Sequence, residues 1–196
     1  MDVRDLFLDQ HAAVHSAAVG GNKMSAAERA FAGLSDEQMR VRPREDLNSL
    51  AWLLWHIARA EDIVVNVVLA GRPQVSDETW ARRLGVARRD FGIGMTSAEV
   101  TELTRQVDLG ALRAYRDAVG LRTREVVAGF EPRDWEGVVS ADAVARAAAE
   151  GAFGIRTEAV VKGFPGRPRG QTRANTSAHS SSIWGWPCRM WIAKWL

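Results

Sequence analysis

Asn48-Ser49-Leu50-Ala51-Trp52-Leu53-Leu54-Trp55-His56-Ile57-Ala58-Arg59-Ala60-Glu61-Asp62 is the stretch on which the fold class turns. Asn48 or Ser49 can cap a helix, since a short polar side chain accepts a backbone N–H from the first turn. Apolar residues then recur at helical spacing, at Leu50, Leu53, Leu54 and Ile57, and again at Val64, Val65 and Val68. Gly71-Arg72-Pro73 stops the run. A stripe this broad predicts a buried helix over 50–69, with Glu61 and Asp62 outside the leucine–valine seam.

Outward from that helix the pattern stays helical. Upstream, Leu6, Phe7, Gln10 and Val14 share one side of a helix expected from Asp5 to Val19, weakened at Gly20-Gly21. Ser35 opens a short turn of helix that ends before Pro43. Downstream, residues 71–96 form a long connection with one short helix near Asp77 to Leu84, the kind of segment that serves as a lid or pocket wall. Thr96 and Glu99 have the spacing of a capping box, and one helix is expected from there past Val126, bent at Gly110 and Gly120. Ser140 to Glu150 reads as an alanine-rich helix, and a last helix is expected from about Thr172. No segment alternates as a strand does. The expectation is all-α: an up-and-down antiparallel four-helix bundle over residues 1–180, followed by an atypical tryptophan-rich end at 181–196.

Composition narrows the class further. A chain of 196 residues that is 46% hydrophobic can bury one core. Its longest strongly apolar stretch, Ile63 to Ala70, is less than half a membrane span. The net charge of +2 is divided into −4 over residues 1–158 and +6 over 159–196. The basic charges of the tail are scattered singly, without the aromatic–basic repeat of a nucleic-acid surface, so neither nucleic acid nor membrane is the expected partner. Asp2, Arg4, Asp5 and Asp9 break any apolar signal core, and the single Cys188 leaves no intrachain disulfide framework and no cysteine-based metal cluster. A cytoplasmic location is expected.

Four histidines carry the chemistry a helical bundle could host. His56 lies on a helix built for burial, so its ring needs hydrogen-bond partners or a metal ion. His11 and His15, at i and i+4, can face one another and clamp a transition metal, or both can point outward. His179 precedes Ser180-Ser181-Ser182. Tyr115 reads as packing with a polar tip, and Cys188, beside Arg189, as a small buried group rather than a nucleophile.

The segment from Pro43 to Pro73 resembles the second-helix signature of the DinB superfamily. That group includes thiol-dependent enzymes such as mycothiol-dependent maleylpyruvate isomerase and bacillithiol transferases. The loop from Gly71 to Gly94, the helix from Thr96 and the Asp134-Trp135 region are similar as well, and the resemblance spans about residues 5–180. It implies a four-helix bundle, commonly a homodimer, that holds nickel or zinc with three histidines. His56 would be one ligand and His179 the first of an i, i+4 pair on the last helix. The second of that pair would stand at position 183, which is Ile183, a residue with no donor atom. One choice of codons for Ser182 to Pro187 reads His-Leu-Gly-Met-Ala in another frame, so the departure is what a frameshift near Ser182 would produce.

The resemblance implies metal-dependent chemistry with a low-molecular-weight thiol of the mycothiol type, either S-transfer or isomerisation of a small molecule. Trp52, Trp55, Arg59 and His15 would be pocket candidates, with Arg59 suited to a substrate carboxylate. The competing expectation is a catalytically inactive binding or stress-response protein that has lost its metal, which Ile183 favours.

Overall fold

The computed structural model describes residues 2–21, 24–163 and 165–166. Among these residues the architecture is all-α, with eleven α-helices and no strand. It is more finely divided than four long helices. The expected helix from Thr172, the boundary at residue 180, His179 and Ile183 all lie outside the described residues.

The helix expected over 50–69 forms. α5 (Leu50–Asp62) begins at Ser49, whose hydroxyl accepts the Trp52 N–H at 3.0 Å. It continues to Leu69 with a wider, π-helical turn over Ile63–Leu69. Five of those seven residues are β-branched, which lowers their preference for a regular α-helix. α8 (Leu109–Ala128) lies along α5. Between them and α7 (Ser97–Gln106) sits one core, built on Trp55, Leu54, Leu103, Leu112, Val119 and Met39 of α4 (Asp36–Arg40). A second core joins Ile63, Val67 and Val68 to Val144 and Ala147 of α10 (Ala141–Ala149), and to Phe91, Phe153 and Val160.

Two helices expected as continuous are broken. The first splits at His15-Ser16 into α1 (Val3–Val14) and α2 (Ala17–Gly20). The cause is tertiary. The Ser16 hydroxyl donates to Asp117 of α8 at 2.6 Å, while the Ala17 N–H donates to Glu28 at 2.8 Å. The second splits at Val107-Asp108 rather than bending at Gly110. Asp108 accepts the Ala111 N–H at 2.7 Å and so starts a new helix, while its own N–H donates to the Leu84 carbonyl at 2.9 Å. The Thr96 capping box is present, as is a short helix, α6 (Glu78–Leu84), inside the long connection. Among the described residues no helix is long and apolar enough to cross a membrane.

Candidate metal centre

The one buried residue of α1 is His11. One turn later His15, buried too, turns the same way, so that the two ring centroids stand 4.9 Å apart. Both rings meet Glu61 of α5. His11 Nε2 lies 2.9 Å from Glu61 Oε1, and His15 Nε2 lies 3.6 Å from Oε2. One ligand atom from each of the three residues falls within 4.8 Å of the others. Glu61 keeps 17% of its side chain exposed, so the cluster is reachable from solvent on the carboxylate side.

The cluster is under-satisfied. His15 Nε2 and His11 Nδ1 are buried without a hydrogen-bond partner. Burial pushes the His15 pKa down, against the opposing pull of Glu61, and the nearby Arg116 adds to the downward shift. Burial works to raise the pKa of Glu61, but its hydrogen bond to His11 and the nearby His15 imidazole hold it far below the usual carboxylate range. Glu61 thus stands as a carboxylate 3.6 Å from the buried Nε2 of His15. Two imidazoles and a carboxylate form a donor set that suits zinc, nickel and similar divalent ions.

The environment of His15 is specific. Its Nδ1 lies 3.3 Å from the Ser16 hydroxyl oxygen. Its carbonyl accepts from Ser25 at 3.0 Å and from the Arg116 guanidinium. Its ring rests on Gly120, where an added Cβ would fall 2.5 Å from two ring atoms. Phe7 stacks on His11 at 5.6 Å and leads on to Trp135 at 6.0 Å.

The other residues singled out in the sequence lie elsewhere. His56 and Glu61 are five positions apart on one helix, about 140° around its axis, and His56 faces the long connection. Its Nδ1 bonds the Phe91 carbonyl, its ring stacks on Trp52 at 4.7 Å, and burial lowers its pKa. Nδ1 fixed on a carbonyl is how a ligating histidine is oriented. Among the described residues, however, no cluster of three or more potential metal ligands includes His56, and His179 lies outside those residues. Trp52 donates to the Met95 sulfur at 3.3 Å. Trp55 is wholly buried against Gly92, whose φ of +83° and whose missing Cβ let the chain pass within reach of the indole.

Arg59 is 1% exposed and bound on every side. It donates to the Tyr115 hydroxyl at 2.9 Å, to Gln74 at 2.7 Å and to the carbonyls of Arg89 and Asp90. Asp62, 0% exposed, accepts from Tyr115 at 2.6 Å, from Asn66 at 2.8 Å and from the backbone N–H groups of Val75 and Ser76. These buried groups fasten the long connection to α5 and α8, and burial pushes the Tyr115 pKa up.

Sequence reasoning noted His11 and His15 but missed Glu61. The signal that could have found it is its place on the flank of a buried helix, one step past the seam.

Residues 24–155 match the family model of the DinB superfamily, a span of more than half the chain that contains Glu61 and His56 but starts after His11 and His15. No curated protein matches the chain.

Proposed function

The chain belongs to the DinB superfamily, and we propose that it is a divalent-metal-binding member whose ion sits between His11, His15 and Glu61. One observation carries this reading: His15 Nε2 is buried without a partner although it and His11 Nε2 converge on the Glu61 carboxylate. An unsatisfied buried polar atom costs on the order of 1–3 kcal/mol, and a cation shared by three lone pairs removes the conflict. A divalent ion there would supply Lewis acidity that lowers the pKa of a thiol or water beside it.

Within that reading the protein acts on a small molecule with a low-molecular-weight thiol of the mycothiol type, by S-transfer or isomerisation, on the four-helix framework the resemblance implies. His11, His15 and Glu61 hold and orient, and the exposed edge of Glu61 admits the ligand. We place it in the cytoplasm as a homodimer, with the exposed Val3, Leu6 and Val14 of α1 as apolar surface available for pairing. A metal-binding protein without turnover is the second reading. It is favoured by Ile183 and by the full internal engagement of Arg59, which leaves that guanidinium no free donor face for a substrate.

Calorimetric titration of the untagged protein with Zn²⁺ and Ni²⁺ is the test. One tight site per chain, lost in His15→Ala and weakened in Glu61→Gln, is expected. Weak binding that neither substitution changes overturns the reading. A site lost instead in His56→Ala transfers the metal to the other face of α5. Mycothiol that binds the metal-loaded protein but not the metal-free one would favour thiol chemistry, and equal binding to both would argue for the second reading.

A further inference from the structure

Resting on the metal reading above, we propose that Ser16 and Asp117 are positioning residues that hold His15 as its Nδ1–H tautomer, so that Nε2 presents a lone pair to the ion. Ser16 has a single hydroxyl proton, and that proton is directed to the Asp117 carboxylate at 2.6 Å. Its oxygen is therefore left only as an acceptor towards His15 Nδ1, 3.3 Å away, and an acceptor there requires the ring proton on Nδ1. Nε2 is then unprotonated, and it is the atom that stands buried, without a partner, 3.6 Å from Glu61. Ligating histidines are oriented in this way by an acceptor on the far ring nitrogen. Here the acceptor is a hydroxyl, made unable to donate by an acid 101 residues along the chain.

The arrangement also accounts for the break after α1. The side chain of Ser16 reaches α8 rather than capping α2, which has no side-chain cap. The carbonyl of His15 is separately held by Ser25 and Arg116, which fixes the backbone from which the ring hangs. Ser16 and Asp117 touch neither Glu61 nor His11 through any hydrogen bond, so their effect on the ion runs through His15.

Two readouts test the proposal. In the metal-free protein, long-range ¹H–¹⁵N spectra read the His15 tautomer directly. The expected result is Nδ1–H in the wild type and in Ser16→Thr, with a shift towards Nε2–H in Asp117→Ala, where the serine proton becomes free to donate to Nδ1. In the Co²⁺-loaded protein, Ser16→Ala and Asp117→Ala should bind roughly 10–100-fold more weakly with altered d–d absorption. Ser16→Thr, which keeps the hydroxyl, should restore both. A merely structural role would lower the melting midpoint without moving tautomer or spectrum. An Nε2–H tautomer in the wild type overturns the proposal even if metal binds. Wild-type affinity and spectrum in both Ser16→Ala and Asp117→Ala overturn it while leaving the metal site intact. A wild type that binds no metal removes the site and with it this role.

Discussion

Replacing Gly120 with alanine separates the geometry of the metal site from the stability of the fold. An alanine Cβ would fall 2.5 Å from both Cε1 and Nε2 of His15 and 2.9 Å from Cγ2 of Val19. Non-bonded contacts relax to about 3.5 Å, so the ring and α8 must part by about 1 Å. Metal–ligand distances tolerate about 0.2 Å, so a displaced His15 no longer reaches an ion shared with His11 and Glu61. The stability effects partly cancel. Overpacking a core costs about 1–3 kcal/mol, while alanine in a helix interior is favoured over glycine by about 0.8–1.0 kcal/mol. A net loss of about 0–2 kcal/mol is expected. Zn²⁺ affinity should fall by more than the roughly 10–100-fold that follows loss of an outer partner. Competition against a chromophoric chelator reads the affinity, and urea unfolding of the metal-free protein reads the stability. Gly110→Ala on the same helix is the control. Its Cβ would meet nothing nearer than Asp108 Oδ1 at 3.4 Å, so it should bind metal as the wild type does. Wild-type Zn²⁺ affinity in Gly120→Ala would refute the placement of His15 as a ligand in this orientation.

Asp62→Ala, which strips the acceptor from Tyr115, Asn66, Val75 and Ser76 and leaves the buried Arg59 without its neighbouring carboxylate, should cost about 3–5 kcal/mol in urea unfolding. Tyr115→Phe should cost about 1–3 kcal/mol, and a neutral result for both would mean the network does not fasten the connection. His15 and His56 have folded pKa values below the ordinary histidine value. Below about pH 6.5 the unfolded chain therefore takes up protons that the native protein does not, and metal-free stability should fall as pH drops from about 7 to 5. Glu61, held below its ordinary value, adds a further loss once pH drops under about 4.5. Melting midpoints across pH check both, and a flat profile contradicts them. Zn²⁺ at about 100 times its Kd should add roughly 2.7 kcal/mol to stability, and a chelator should reverse the gain.

What could be read in the sequence was local. Ser49 caps α5, Thr96 and Glu99 form a capping box, and residues 78–84 are helical, because each depends on side chains within a turn of one another. The break at Ser16 could not be read, since it is set by Asp117 far along the chain. The break at Asp108 carries a local cap on Ala111 that the sequence offered, and it is reinforced by the distant Leu84 carbonyl. Local propensity over Asp5–Val19 favours one helix, and tertiary hydrogen bonds override it.

The same distinction separates the legible from the illegible part of the site. The i, i+4 spacing of His11 and His15 is visible in the sequence, but spacing alone leaves the rings free to face solvent. What turns them inward is the flank of α5, where Glu61 stands beside two residues, Arg59 and Asp62, committed to the opposite task of fastening the long connection. Three charged residues within four positions of one helix thus serve two separate sites because a helix rotates about 100° per residue. Arg59 and Asp62, three apart, share one side, and Glu61 is turned away from them towards α1. His56 lies further round, on the side of Trp52 and Phe91. A metal on the α1 side and a metal on the His56 side are therefore distinct predictions of one helix, and paired titration of His15→Ala and His56→Ala distinguishes them by which substitution removes the site.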